Sequence, residues 1–443
     1  VEGEICVKER LRPMIAEKVR DVPVPRMFRV KQIFPRPRLE PEQIPAVLTA
    51  ELREAGLADR VRPGMRIAIT VGSRGVANVA LITKTIVDFV KACGAQPFIV
   101  PAMGSHGGAT AEGQQKIVED YGCTEAYLGC PIRSSMEVVP IGVNDEGKTV
   151  YIDKYAAQAD GIIVNCRVKP HSAFRGKYES GIMKMMAIGL GKQYGAEVCH
   201  DQGIGCMAKN IPLFGRCILK NTPVLFAVAA IENAFDETAR IAVVPAEDIE
   251  AVEPGLLEEA KANMPRILVD EADVLIVDQM GKNFSGDGMD PNITGNFPTP
   301  YASGGLKAQR VGVLNLSPES HGNAIGAGNC SVMTQRIFDQ IDLCAMYMNC
   351  ITCTIVSSSR IPVIMESDRE CLQMCLRTCV NNDKQHPRVV RIPNSLHIEH
   401  IMLSEAYWDQ AQKNPNLEIE SQPEDWPFDE NGDLPMRDGT ILF

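Results

Sequence analysis

Arg66-Ile67-Ala68-Ile69-Thr70-Val71-Gly72 is a short β-branched run stopped by a glycine, and the first half of the chain reads outward from it. Branched apolar side chains suit a pleated strand, and glycine ends one in a turn. Residues 76–93 follow with apolar side chains at helical spacing and stop at Gly94. Pro97-Phe98-Ile99-Val100 is a second strand, running into the loop Gly104-Ser105-His106-Gly107-Gly108-Ala109-Thr110. Thr110 is placed to cap a helix that continues through Tyr121 and closes at Gly122. Gly161-Ile162-Ile163-Val164-Asn165 is a third strand, apolar enough for burial on both faces. Strand, helix, strand, loop, helix predicts a parallel sheet covered by helices. Ligands of such sheets bind beyond the carboxyl ends of the strands. Arg74, His106 and His171 each follow a predicted strand, so pattern alone sends them toward one site.

A second α/β unit begins near residues 272–278, continues through a strand at 310–316 and a helix at 332–347, and adds strands at 388–392 and 400–404. The helical stretch 247–263, ending at Met264-Pro265, bridges the two. The expected fold is α/β: two α/β domains with mainly parallel sheets and an interdomain active-site cleft. Residues 1–265 are expected as an N-terminal cofactor-binding catalytic domain and 266–395 as a C-terminal α/β domain. Residues 396–443 are expected to pack back on the N-terminal domain, the tail from Asn414 wrapping the surface or fraying.

At 443 residues the chain exceeds one ordinary core. A hydrophobic content of 45% with 23% charged residues is that of a soluble globular protein. No apolar run is long enough to span a bilayer, and the start lacks a basic flank with an apolar segment, so a cytoplasmic location is expected. The net charge of −11 argues against nucleic acid as the main partner, although a few local cations can still hold a small anion. The fifteen cysteines are scattered through core-like segments and read as reduced thiols. Cys350 and Cys353 form a lone C-x-x-C. Cys371, Cys375 and Cys379 fall four apart on one helical face: buried thiols in the plain reading, an iron–sulfur site in the alternative.

Of the seven histidines, two flank a lysine in a glycine-rich stretch: Pro170-His171, then Glu179-Ser180-Gly181-Ile182-Met183-Lys184, then Cys199-His200. Imidazole is a general base near neutral pH and a common metal ligand. A lysine in an apolar segment can be a covalent anchor or an anion clamp. The glycines around His106 let the backbone approach a ligand, and the helix start beyond Thr110 suits an anion. Their spacing is not that of a dinucleotide-binding turn, which counts against a nicotinamide cofactor. Gln279 and Lys282 follow a strand of the second unit, and His321 lies in the glycine-rich loop 317–326.

These motifs resemble the nickel-pincer lactate racemase family. That family carries a histidine after a proline, a Ser-Gly-x-x-Lys segment and a nickel-ligating histidine, matched here by His171, Ser180 to Lys184, and His200. The loop around His106 resembles its Gly-x-His loop, and Gln279 with Lys282 its Gln-x-x-Lys pair. Two departures stand out. The interval from His171 to Lys184 is longer than in the lactate enzyme, and the acidic residue before the family's arginine is replaced around Val71-Gly72-Ser73-Arg74.

The resemblance implies a racemase or epimerase that inverts the α-carbon of a 2-hydroxy acid by reversible hydride transfer; the replaced acidic position before Arg74 and the polar loop 317–326 point to a substrate larger than lactate, such as a sugar acid. The implied cofactor is a nickel-pincer nucleotide of the pyridinium-3-thioamide-5-thiocarboxylate mononucleotide type. Lys184 would form the thioamide and His200 would ligate nickel. His106 and His171 would handle the hydroxyl proton from opposite faces. Arg74, Gly104, Ser105, Gly107 and Thr110 would line the cofactor, and Gln279, Lys282 and His321 the substrate. Expected partners are a small anionic hydroxy acid and the host's cofactor-synthesis proteins, with a homo-oligomer allowed and neither nucleic acid nor membrane involved. An NAD-dependent oxidoreductase and a non-catalytic iron–sulfur or metal-binding protein are the alternatives.

Overall fold

The computed structural model describes residues 13–73 and 75–443; Arg74 and the side chains of Thr352 and Cys353 lie outside the described residues. The chain forms two compact units. The described residues up to Phe34 group with Pro265–Phe443, and Pro35–Met264 form the other unit. This differs from the expected boundaries at both ends. The reason is β1 (Met27–Gln32), which pairs antiparallel with segments near the far end of the chain.

The unit Pro35–Met264 contains β2 (Arg66–Val71), β3 (Gln96–Pro101), β4 (Val138–Val143), β5 (Thr149–Asp153), β6 (Gly161–Arg167), β7 (Val224–Glu232) and β8 (Thr238–Pro245). β4 and β5 form their own hairpin, and the other five make a sheet in the order β3-β2-β6-β7-β8. All neighbours in that sheet are parallel except the edge strand β8. Alternation along the strands supplies both cores. Ala68, Ile162 and Val164 face one cluster with Phe174 and Phe214. Ile67, Ile69 and Ile163 face the other, against Ile82 and Ile86 of the helix Val79–Ala92. The three strands read in the sequence are thus adjacent, and their carboxyl ends open on one edge of the unit.

The other unit is built on an eight-stranded sheet. Its strands besides β1 are β9 (Glu271–Met280), β10 (Lys307–Leu316), β11 (Val332–Thr334), β12 (Val363–Met365), β13 (Val389–Ile392), β14 (His400–Ser404) and β15 (Leu417–Ile419), in the order β12-β11-β10-β9-β13-β14-β1-β15. The first five are parallel to one another, and β14, β1 and β15 add antiparallel pairings. The segment expected to pack on the N-terminal domain therefore completes this sheet instead. The tail is ordered as β15 and the small hairpin β16 (Met436–Arg437) and β17 (Thr440–Ile441).

The helix expected over 332–347 is also corrected. Val332 and Met333 are paired on both sides and Thr334 with Met365, as β11, and helices follow at Gln335–Gln340 and Leu343–Cys353. Asp342 starts the second helix by accepting the Ala345 N–H at 3.0 Å. Cys371 and Cys375 are buried on the helix Asp368–Thr378, packed against Gly312 of β10. The Cys371 thiol is pushed well above its usual range by its hydrogen bond with Cys375 and by burial, so it stays protonated. Among the described residues, no three His, Cys, Asp or Glu side chains form a group that could hold a metal ion. No described helix is long and apolar enough to cross a membrane.

Candidate functional site

His171 lies on a loop that leaves β6 and is pinched shut at its base. Lys169 and Ser180 exchange both backbone hydrogen bonds, at 2.8 and 3.1 Å, so the long interval before Lys184 becomes a closed excursion. Within it the Glu179 carboxylate accepts the His171 N–H at 2.8 Å and approaches Arg175 at 3.4 Å. The imidazole stacks on Phe174 with centroids 4.3 Å apart. Its Nδ1 accepts the Ala173 N–H at 3.0 Å. A backbone amide can only donate, so the lone pair sits on Nδ1 and the neutral ring carries its proton on Nε2. Burial first, then the like charges of Lys184, Lys169, His200 and Arg175, hold the His171 pKa well below its usual value.

Those charges also locate the site. Lys184 ends the single helical turn Ile182–Lys184, where it is half-buried, and the chain then widens into a π-helical turn at Met185–Gly189. Such turns are rare and concentrate at functional positions. The helix Lys192–His200 follows and presents His200 at its last residue. There Nδ1 donates to the Ala196 carbonyl at 2.7 Å, which leaves the lone pair on Nε2. Burial and then Lys184 lower the His200 pKa, partly offset by that hydrogen bond. His171, Lys184 and His200 therefore sit within electrostatic reach of one another in the neutral-imidazole state that a metal ligand requires.

The loop after β3 joins the same edge. A Cβ on Gly104 would stand 3.4 Å from Ile188 and 3.9 Å from Ala196, one turn before His200. A Cβ on Gly72, after β2, would stand 2.9 Å from Met185. His106 is exposed, and its Nδ1 donates to the Met103 carbonyl at 2.7 Å, so Nε2 is again the accepting nitrogen. Thr110 and Gly107 have structural duties. The Thr110 hydroxyl accepts the Gly113 N–H at 3.0 Å as a helix cap, and a Cβ on Gly107 would press to 2.6 Å against the Gln114 nitrogen.

Gln279, Lys282 and His321 cluster in the other unit, at the carboxyl ends of the adjacent strands β9 and β10. Gln279 pairs in register with Asn315, and the Lys282 N–H donates to Ser320 Oγ at 2.9 Å, next to His321. Lys282 Nζ donates to the Gly286 carbonyl at 2.7 Å and to Asn349 Oδ1 at 2.8 Å. His321 is exposed, with a left-handed φ of 47°.

Three groups escaped the sequence reading. Glu179 and Glu253 are both 1% exposed, and Lys192 is fully buried with a left-handed φ of 53°. Lys192 Nζ donates to Gln114 Oε1 at 2.9 Å and to the Pro101 carbonyl, with Asp153 at 3.4 Å. Gln114 Nε2 in turn donates to the carbonyls of Gly104 and His106 at 2.7 and 3.2 Å. The start of the His200 helix is thereby tied to the His106 loop. One signal was present: a lysine between the apolar run 185–191 and a helix is costly to bury without partners.

A family model, the lactate racemase N-terminal domain, matches residues 15–207. No curated protein matches the chain in sequence. Among solved structures, the chain is similar to the lactate racemase apoprotein from Thermoanaerobacterium thermosaccharolyticum, at 14% identity and a TM-score of 0.44, over 78% of this chain and 81% of that one.

Proposed function

We propose, for a chain whose residues 15–207 match the lactate racemase N-terminal domain, an isomerase that inverts the α-carbon of a 2-hydroxy acid with a nickel-pincer nucleotide. The observation that carries the proposal is that His171, Lys184 and His200 lie within electrostatic reach of one another, on segments that follow β6 or pack against the loops after β2 and β3. The donor set suits the group. It asks for a primary amine to attach the nucleotide and an imidazole lone pair for the metal. Lys184 is the amine, and Nε2 of His200 keeps its lone pair because Nδ1 is already bonded. Arg74, Gly104 and Ser105 are proposed to line the nucleotide, with Gly107 and Thr110 shaping the loop that does so. When bound, the group supplies the acceptor and donor for the α-hydrogen as hydride.

The protein's own part is the hydroxyl proton and the substrate's charge. His106 offers a basic Nε2 to the hydroxyl. His171 offers an Nε2–H and takes up a proton only by giving up the Ala173 amide, so it begins the cycle as donor. Gln279, Lys282 and His321 are proposed to receive the polar groups of a substrate longer than lactate, which the replaced acidic position before Arg74 also favours. The host's cofactor-synthesis proteins are the implied partners.

Intact mass and nickel content of protein loaded in its native host test this. Wild type should carry a nucleotide adduct that Lys184→Ala abolishes, whereas His200→Ala should lose nickel and keep the adduct. In D₂O, α-deuterated hydroxy acids should invert slowly and keep their label, faster for polyhydroxylated acids than for lactate. Rapid exchange of the label with solvent would return the protein to ordinary proton-transfer racemases.

A further inference from the structure

The segment that presents Lys184 has a support that neither motif nor cofactor chemistry uses. Glu253, on the helix Ile249–Asn263, is 1% exposed and lies against the start of the turn Ile182–Lys184. Its Oε2 accepts the Met183 N–H at 2.9 Å, and the Ile182 N–H also bonds the carboxylate. A Cβ on Gly181 would fall inside the contact distance of Glu253 Oε1. Since Gly181 has an extended backbone that any residue adopts, the glycine of the Ser-Gly-x-x-Lys motif is required by this carboxylate and not by its dihedrals. From the other side, Met183 fills the space over Gly215, where a Cβ would come within 2.7 Å of Met183 Cε. The residue before Lys184 is thus fixed through both its amide and its side chain. Two turns further along the same helix, Lys261 Nζ lies 3.2 Å from Glu179 Oε1, and Glu179 holds the His171 amide. Burying a carboxylate is costly, and burial pushes that of Glu253 up to about 7 against the pull of the two amides. Such a cost is tolerated where a geometry has to be held.

We propose that Glu253 is a positioning residue whose carboxylate anchors the Ile182–Met183 amides and so sets where the Lys184 amine stands. The inference rests on the reading of Lys184 as the attachment point. Two readouts on the full chain test it: local hydrogen exchange of the peptide spanning 179–186 in unloaded protein, and the fraction of protein carrying the adduct after expression in the native host.

Glu253→Ala should raise exchange at Ile182 and Met183 by about tenfold or more while distant helices stay protected. Its adduct fraction should fall by about fivefold. Glu253→Gln keeps an acceptor oxygen in place and should restore both. Should the alanine variant fail to fold, Glu253→Asp, one methylene short of the amides, should show the same local loss. Wild-type adduct levels in a folded Ala or Asp variant, or faster exchange spread evenly over the molecule, would overturn the proposal. Local exchange responding as stated in a wild type with no adduct would instead sink the cofactor reading and leave the positioning of the turn standing.

Discussion

Burial moves Glu253 and His171 in opposite directions, and the molecule's pH response follows. The Glu253 carboxyl rises from its usual 4.5 to about 7, so the folded chain keeps a proton that the unfolded chain releases in between. Its contribution to stability is full below about 4.5 and lost as pH rises through about 7. His171 and His200 are depressed below the usual 6.5, so the stability they contribute is present above 6.5 and lost as pH falls below it. Glu253→Gln should therefore match wild type near pH 5 and exceed it near pH 8, by on the order of 2 kcal/mol in denaturant unfolding. A constant difference across that range would show that the carboxyl titrates normally. At this scale candidate residues stood out where a residue type is rare. Imidazoles and a lysine in glycine-rich apolar sequence could be picked out in the sequence alone. Glu253 and Glu179 could not, because acidic residues are common and their partners are backbone amides brought together by the fold.

Elements were legible where the periodicity was strong and local. β2 spans Arg66–Val71 as read, β14 spans His400–Ser404, and the helix after Thr110 starts at its expected cap. β1 could not be found by the same means, since its pairing is decided by residues far along the chain. Val332 to Thr334 misled because a short apolar run before a helix carries no period of its own. The Thr110 cap gives an element-scale prediction. Thr110→Ala should cost about 1 kcal/mol in denaturant unfolding, Thr110→Ser should cost much less, and the adduct proposed on Lys184 should persist in both. Loss of the adduct at unchanged stability would mean that the hydroxyl serves the nucleotide directly and not the helix Ala111–Asp120.

Across the whole molecule, the unit Pro35–Met264 is an insertion between β1 and the rest of the eight-stranded sheet. Closing so long a loop costs little more than closing a short one, because loop entropy grows only with the logarithm of length. A protease site engineered at Met264-Pro265 should therefore give two fragments that stay together on a native gel, held by β1 between β14 and β15. Glu substitutions at Phe28 and Val30, both wholly buried, should let them separate. Fragments that stay joined in that variant would show that something other than β1 holds them. The arrangement also sets a schedule for synthesis. β1 leaves the ribosome before the insertion and its neighbours β14 and β15 leave after it, so the insertion can finish while the other seven strands of its host sheet are still missing. Throughout that wait β1 is an unsatisfied sticky edge, a template for pairing with nascent neighbours. Arg29 and Lys31, alternating with its apolar residues, put into the waiting strand the kind of charge that discourages aggregation.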